Sequence, residues 1–398
     1  MDGMGAAAVA PGVIGNLSVS LIFHQTGEVL CYNASGRRGM TTVPIESEPV
    51  RVLILSNDDC TWTETDYHEV DLELARMQNG LIACGFQTEV FTVRFSVRAE
   101  LGARALYAPE DWLVFNWCEQ YYDRLWTDAE IAAELEQLGY TFTGADAAGM
   151  RLSMDKAGVR AALIAAGVPM PIGRTYTHDR IEDWSIFPAI VKPTNQHSSY
   201  GISRASLVES TAELRRRVQW VLDEFGGAAL VEEFVDGREI HVPLIGNDRL
   251  MTLPPMEIDY SLFDGVRDRI YTNEAKFDKT AASYYLTKFL CPAPVTDAAL
   301  AQIEAVAKRA YRVGGCRDYG RVDLRLRDGQ PLVLDVNPNA DLTFESDHAI
   351  ASKMLGWTYG QLAAQIVACA LERWPAGRSA GKVEQHEFTA HHSLAQSR

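Results

Sequence analysis

The chain has 398 residues, a length typical of two or three domains, and its apolar (47%) and charged (23%) fractions are those of a globular protein. Lysine and arginine number 37 against 53 aspartates and glutamates; the net charge of −16, without a basic stripe, disfavours a nucleic-acid partner. Apolar stretches fall short of the roughly 20 residues that span a bilayer, and the N-terminus lacks the positive region of a secretory signal. The seven cysteines form no C-x-x-C pair, so we expect a soluble, cytoplasmic protein without disulfides and without a membrane partner.

The two ends of the chain differ from its interior in composition. Residues 1–48 are rich in small residues without a sustained period, which predicts a disordered tail. Residues 376–398 are polar and contain His386, His391 and His392; a solvated tail is favoured over a metal-binding one. Between these ends, strand-like and helix-like segments alternate, which is typical of α/β architecture.

The interior begins with the pattern of a small doubly wound domain around a parallel sheet. A short apolar run at residues 52–55 ends in a polar loop, as a buried parallel strand would. Ser153 is the predicted N-cap of a later helix, which Gly167-Val168-Pro169 ends. Further strands are predicted at 89–93, 112–116, 189–192, 229–233, 320–327 and 331–337, and helices at 68–84, 128–138, 154–166, 297–313 and 359–373.

Two alternating segments on either side of Asp328-Gly329-Gln330 predict a β-hairpin. A three-residue loop places Asp323 opposite Asp335 and Arg321 opposite Asn337, whereas a two-residue turn would put the aspartates on opposite faces. Opposed carboxylates repel each other unless a cation lies between them. Oxygen ligands of this kind suit Mg²⁺ held together with substrate phosphates.

The charged face of the same hairpin carries arginines. Arg321 can neutralise a developing oxyanion or an acyl phosphate. A hairpin whose charges simply face water is the alternative, but it leaves Arg325 and Arg327 on the face of Asp323 without a reason. We therefore favour a metal and phosphate site.

Upstream segments have the character of a nucleotide site. Lys192 ends an apolar strand and precedes a loop of small hydroxylated residues that can wrap phosphates with backbone N–H groups, and Lys156 can reach the same phosphates. The segment 231–239 is apolar with carboxylates and could clasp adenine and ribose; a charged loop is an equal alternative.

Together these segments resemble the ATP-grasp superfamily, and more narrowly the D-alanine–D-alanine ligases and their relatives, over residues 50–375. The segment 232–239 is similar to the hinge that holds adenosine in that family. The other matching motifs are Phe115-Asn116-Trp117-Cys118-Glu119, Thr143-Gly144, Ser153-Met154-Asp155-Lys156 with Gly167-Val168-Pro169-Met170-Pro171, Ile190-Val191-Lys192-Pro193 with Ser198-Ser199-Tyr200-Gly201, Glu274-Ala275-Lys276-Phe277 with Cys291-Pro292-Ala293, Gly320-Arg321-Val322-Asp323 and Asp335-Val336-Asn337.

The resemblance implies an ATP-grasp fold, α/β overall and α+β in its ATP-binding part. A pre-ATP-grasp α/β domain would span residues 49–152, a central subdomain 153–239 and a catalytic subdomain 240–375. The implied activity is an ADP-forming ligation of an amino-acid-like carboxylate to an amine through an acyl phosphate. ATP and two Mg²⁺ ions, which Mn²⁺ can replace, are the implied cofactors, and a homodimer is the protein partner that the family suggests.

The resemblance also assigns roles to single positions. Residues 260–287 would form part of a lid over the site. Catalytic roles fall to Arg321, Lys276 and Ser198; phosphate and adenosine binding to Lys156, Lys192, Ser199, Glu232, Phe234, Val235 and Glu239; and metal binding to Asp323, Asp335 and Asn337.

The positions that face the amino-acid substrates depart from the family pattern. Tyr67 takes the place of a glutamate, Phe277 that of a tyrosine, and Asp341 that of a glycine, while Ser346 still matches a carboxylate-binding serine. We therefore expect a ligase for substrates other than D-alanine, with Asp341 favouring an amine-bearing group. An authentic D-alanine–D-alanine ligase and an ATP-binding module without turnover are the alternatives.

Overall fold

The computed structural model of the protein describes residues 49–181, 183–196 and 199–375, with only the backbone of Phe277 and of three strands near the N-terminus. Those strands form a small antiparallel sheet within a unit of residues 1–48, where the sequence pattern predicted no regular structure. The predicted C-terminal tail lies outside the described residues, and the domain boundaries stay predictions. The three strands are β1 (Ala10–Ile14), β2 (Leu17–Phe23) and β3 (Val29–Cys31).

The second unit begins with a three-stranded parallel sheet of order β5-β4-β6. Strand β4 is apolar from Val52 to Leu55 because helices cover both of its faces: Ile54 packs against Met77, while Leu53 packs in the cluster of Ile131. The predicted doubly wound domain is confirmed. Its elements are β4 (Arg51–Asn57), α1 (Glu64–Ala83), β5 (Gln87–Val93), α2 (Val97–Glu100), β6 (Trp112–Asn116), α3 (Asp128–Leu138) and α4 (Ala147–Ser153).

The next elements form a four-stranded antiparallel sheet of order β7-β10-β8-β9. The predicted helix start is wrong: Ser153 is the last residue of α4, and the N-cap of the following helix is Asp155, which accepts a hydrogen bond from the Ala157 N–H. The elements are α5 (Lys156–Ala165), β7 (Gly173–Tyr176), β8 (Ala189–Pro193), β9 (Leu207–Val208), α6 (Thr211–Phe225) and β10 (Ala229–Glu233).

The remaining chain forms a sheet of order β14-β13-β11-β15-β16, with β12 paired to β11. The last helix packs against α1, where Gly360 meets Gly80 so closely that a Cβ on either would clash. The elements are β11 (Glu239–Gly246), β12 (Leu250–Thr252), β13 (Met256–Asp259), α7 (Asn273–Phe277), α8 (Ala282–Leu286), β14 (Lys288–Leu290), α9 (Asp297–Val313), β15 (Tyr319–Arg327), β16 (Gln330–Asn337), α10 (Asp347–Met354) and α11 (Tyr359–Leu371).

The β15–β16 hairpin has the predicted pairing but not the predicted turn. Arg327 pairs with Gln330, so the loop has two residues, Asp328 and Gly329, both with positive φ (49° and 80°). The pairing then shifts by one residue between Asp323 and Leu324. Because of this β-bulge, Asp323 lies opposite Asp335 and Arg321 opposite Asn337, as predicted.

Among the described residues, no helix combines the length and the apolarity that crossing a membrane requires.

Candidate active site

A cavity of about 610 Å³ lies where the parts of the second unit meet. Its wall includes Glu119 from the loop after β6, Lys192 from β8 and Arg321 from β15. Ser198 and the side chain of Phe277 lie outside the described part of the structure. Of the other predicted site residues, all except Tyr67 line this cavity. The fold therefore brings residues that are far apart in the sequence into one site.

One end of the cavity has the predicted hinge. The guanidinium of Arg325 donates to the Val235 carbonyl (2.8 Å) and to a Glu239 carboxylate oxygen (3.0 and 2.7 Å), and lies 4.6 Å from the Phe234 ring centroid. The Tyr260 hydroxyl donates to the same Glu239 oxygen (2.9 Å). Burial alone would raise the pKa of Glu239, but Arg325 holds it well below its usual range. A fixed carboxylate thus lies beside an aromatic and apolar wall.

The predicted phosphate lysines are held by carboxylates. Lys192 Nζ donates to Glu232 (2.8 Å), whose other oxygen accepts from Arg160 (2.7 Å). Burial alone would lower the pKa of Lys192, but Glu232 raises it, so the lysine is a cation. Lys156 Nζ donates to Asp335 (3.1 Å). Glu232 was expected to contact adenosine; in the structure both of its oxygens bind cations, and the adenosine contact stays a prediction.

The predicted lid supplies part of the wall. Ser199, in the loop after β8, donates its hydroxyl to the Tyr271 carbonyl (3.0 Å). Lys276 Nζ lies 4.8 Å from the Tyr271 ring centroid. Burial and the nearby Arg321 lower the pKa of Lys276. The loop and the lid segment thus meet over the phosphate end of the cavity.

The centre of the cavity is a compact group of charges around Arg321. Its guanidinium donates to both oxygens of Asp323 (2.7 and 3.0 Å), and Asn337 Nδ2 donates to one of them (3.0 Å). Burial alone would raise the pKa of Asp323, but Arg321 and His241 lower it to about 2. Asp323 is therefore ionised at neutral pH.

The oxygen donors present here fit a divalent cation. Within the described residues, no cluster of three His, Cys, Asp or Glu side chains is placed to hold a metal, so the two carboxylates need a further oxygen donor of another kind. Asn337 uses its Nδ2 on Asp323, which leaves its carbonyl oxygen for a metal. Asp323 and Asp335 supply the carboxylates from paired strands. An all-oxygen set suits Mg²⁺ or Mn²⁺.

Two residues of this centre were missed by the sequence analysis. His241, which is 2% exposed, hydrogen-bonds through Nδ1 to Asp347 (2.7 Å), and Asp347 lies 3.4 Å from Arg321 Nε. Burial alone would lower the pKa of His241, but Asp323 and Asp347 raise it to about 9. The only signal in the sequence was local: His241 lies two residues after Glu239 on one strand, and Asp347 directly follows Ser346.

The far end of the cavity is acidic. Glu119 and Asp341 are exposed to solvent and Asp128 is half-buried. Crowding by the cavity wall and the charges of Asp341 and Asp128 raise the pKa of Glu119 to about 7, and crowding raises the pKa of Asp128 to about 6. Asp341 is fixed by the backbone N–H and hydroxyl of Thr343 (2.8 and 2.9 Å). No lysine or arginine in the described part of the chain forms an ion pair with these three carboxylates. Trp126 completes this wall.

The remaining predicted substrate residues lie in different places. Tyr67, on α1, is 39% exposed, and its hydroxyl donates to Asp58 rather than facing the cavity. Ser346 lines the cavity, but its hydroxyl accepts from the Ala349 N–H as the N-cap of α10. Their roles in substrate binding stay predictions.

Comparison with known proteins gives one family. The family described as D-ala D-ala ligase C-terminus matches residues 172–368. An uncharacterized protein of Sinorhizobium fredii is 33% identical over 66% of this chain and 75% of that protein. The D-alanine–D-alanine ligase of Bordetella avium is 32% identical over 62% of this chain and 75% of its own. This chain belongs to the D-alanine–D-alanine ligase-like family.

The fold agrees with this assignment. A Bacillus anthracis D-alanine–D-alanine ligase complexed with ATP matches 81% of this chain and 98% of its own with a TM-score of 0.61. At 18% identity this likeness supports the ATP-grasp fold alone. As a D-alanine–D-alanine ligase-like protein, the chain is an ATP-dependent, ADP-forming C–N ligase that uses a divalent metal.

Proposed function

We propose that this ligase uses ATP and Mg²⁺ to convert an amino-acid carboxylate to an acyl phosphate, which an amine then attacks to give an amide. We further propose that the substrates are not two D-alanines and that one of them carries an additional amine. The acidic end of the cavity, with Asp341 where relatives are expected to have glycine, is the observation that carries the second part. A cytoplasmic location and a homodimer belong to the same proposal, and size-exclusion chromatography tests the latter.

The cationic part of the cavity supports the chemistry. Lys156, Lys192 and Lys276 line one cavity together with Arg321, so phosphate oxygens would meet positive charge on several sides. Arg321 would neutralise the oxyanion that forms when the amine attacks. A metal held by Asp323, Asp335 and Asn337 would supply further charge neutralisation to the phosphates. Positioning and electrostatics suffice for this reaction, since it needs no protein nucleophile.

The acidic end supports the substrate class. A carboxylate group bound beside Glu119, Asp128 and Asp341 would meet like charges, whereas an ammonium group would offset them. The indole of Trp126 can also contact a cation favourably. This arrangement favours an amine-bearing substrate over a second D-alanine carboxylate.

The deciding experiment is Mg²⁺-dependent ADP release with amino acids and diamines, singly and in pairs, with mass spectrometry of the products. We expect stimulation by a pair in which one member carries an extra amine. D-alanine alone giving its dipeptide would instead identify an authentic D-alanine–D-alanine ligase. ADP release that no acid or amine stimulates would favour a nucleotide-binding module.

Asp341 itself can be tested by restoring the family's residue. Asp341→Gly and Asp341→Asn should raise the KM of the amine-bearing substrate about threefold to fivefold, because Asp341 is exposed and an ion pair between exposed groups contributes up to about 1 kcal/mol. Asp259 is a matched control, since it accepts from the N–H and hydroxyl of Ser261 in the same way (2.8 and 2.9 Å) away from the cavity. If Asp341→Gly left the substrate profile untouched, the proposed selectivity would be wrong.

A further inference from the structure

Arg321 is held from two sides by carboxylates on different elements. Asp323 lies two residues along the same strand and binds the guanidinium through both oxygens. Asp347, the first residue of α10, approaches Nε at 3.4 Å from another direction. Because the two carboxylates belong to separate elements, together they restrict rotation of the guanidinium more than either would alone.

Asp347 is in turn fixed from the neighbouring strand. The oxygen of Asp347 that faces Arg321 is also hydrogen-bonded by His241 Nδ1 at 2.7 Å. The other ring nitrogen, Nε2, lies 3.8 Å from both Glu239 and Asp323. His241 is paired with Asp323 in the β11–β15 register, so the backbone itself places the ring there. The imidazole thus links α10 to the sheet at the level of Arg321.

We propose that His241 and Asp347 form a positioning pair that holds the Arg321 guanidinium in its productive orientation. The inference rests on the proposed function, because it assumes that Arg321 acts on the acyl phosphate or the oxyanion. Neither member of the pair touches the reacting atoms in this proposal; both act through Arg321.

The acidic end of the cavity explains why Arg321 would need a second carboxylate to hold it. Asp341 also attracts the Arg321 cation, along with Asp323 and Asp347. Without Asp347 the guanidinium would be drawn toward Asp341 and away from the phosphate end. Preorganised charge is effective only when it is already aimed at the developing oxyanion. The pair would therefore keep Arg321 from collapsing onto the substrate-binding carboxylates.

The kinetic test uses variants that change the pair in graded ways. Asp347→Asn and His241→Leu should lower kcat about tenfold or more and leave the KM for ATP within about twofold, since displacements near 1 Å are costly to catalysis. His241→Asn keeps an N–H near the Nδ1 position and should recover most of the loss. An Arg321→Lys background should abolish the effect of Asp347→Asn, as expected for residues that act through one another. Full additivity in that background would overturn the proposal.

A second readout does not depend on turnover. In protein labelled with ¹⁵N-arginine, the Nε–H signal of Arg321 is assigned by its loss in Arg321→Lys. We expect that signal to shift and to exchange faster with water in Asp347→Asn and His241→Leu, but not in His241→Asn. An unchanged signal would overturn the proposal even if activity fell. If the wild-type chain ligated no substrate pair, the proposed function would fail while this readout still decided the positioning role.

Glu257→Gln is the matched control. Glu257 lies on β13, next to β11, and accepts from Nε and Nη2 of Arg238 (2.7 and 2.6 Å) outside the cavity. Its loss also breaks a bidentate pair on this sheet, so it should lower the melting temperature without moving the Arg321 signal or kcat. A change of kcat equal to that of Asp347→Asn would mean that the pair acts only on stability.

Discussion

The two ends of the cavity treat charge in opposite ways. At the nucleotide end, acids and bases are interlocked: Glu232 bridges Lys192 and Arg160, and Arg325 fixes Glu239. At the substrate end, Glu119, Asp128 and Asp341 form no close ion pair with a base among the described residues, although Asp341 feels the more distant charge of Arg321. The first end is preorganised before any ligand binds, whereas the second carries an excess of negative charge that a substrate cation can neutralise.

This difference indicates where specificity resides. The nucleotide end meets ATP in every turnover, whatever the other substrates are. Its balanced ionic network therefore does not have to change when substrate specificity changes. An unbalanced group of carboxylates selects by charge, because a ligand that brings the wrong sign leaves the repulsion in place. Variation in the family's substrates would then be concentrated at the acidic end.

The largest effect is expected where the two ends meet, at the paired carboxylates of the hairpin. Asp335→Asn removes one predicted metal ligand and the ion pair to Lys156, so ADP release should fall about a hundredfold or more. Asp328→Asn, at the turn of the same hairpin, is the control, because asparagine tolerates its positive φ of 49°. A rate for Asp335→Asn close to that of the control would contradict a metal role for these carboxylates. A coupled ADP assay measures both.

Breaking the ion pairs of the nucleotide end should lower the free energy of unfolding considerably. Glu232→Gln leaves Lys192 and Arg160 without their shared carboxylate, and breaking such a buried pair costs about 3 kcal/mol. Glu304→Gln removes only a half-exposed surface pair with Lys308, at i and i+4 on α9, and should cost less than about 0.5 kcal/mol. Urea unfolding monitored by circular dichroism compares the two. Equal losses would mean that the network does not contribute more than surface ion pairs.

The hairpin illustrates what local sequence can and cannot determine. Alternation of polar and apolar residues predicted both strands and placed Asp323 opposite Asp335, and the structure confirms the pairing. The predicted loop length was wrong because two hairpin geometries give the same register: a three-residue loop, or a two-residue loop with a bulge. The positive φ that Asp328 adopts favours the shorter loop, but nothing in the pattern locates the bulge.

The positioning pair shows the limit for contacts between distant segments. His241 lies opposite Asp323 only because β11 pairs with β15, and no local period reveals which distant strands pair. Similarly, Asp347 approaches Arg321 through the packing of α10. Motifs with recognisable spacings singled out the lysines and the hairpin carboxylates, and the structure places them in one cavity; their roles stay predictions. Tyr67 was aligned by a weak match and faces Asp58 instead.

The acidic end predicts the smallest effect, which concerns stability against pH. Glu119 has its pKa raised to about 7, so the folded state binds its proton more tightly than the unfolded chain does. The resulting stabilisation is complete below 4.5, the ordinary pKa of a glutamate side chain, and is lost as the pH rises through about 7. Above that pH the folded wild type contains a third carboxylate beside Asp341 and Asp128. Glu119→Gln removes that charge.

The melting temperature of Glu119→Gln should therefore exceed that of the wild type by about 1–2 °C at pH 8, and the difference should shrink toward pH 5. Glu130→Gln, which removes an exposed carboxylate paired with Arg124, should show no such trend. A gain that persisted unchanged at pH 5 would contradict the repulsion among the three acids. Addition of the amine-bearing substrate at pH 8 should stabilise the wild type more than Glu119→Gln, because the bound cation relieves the repulsion that the variant no longer has.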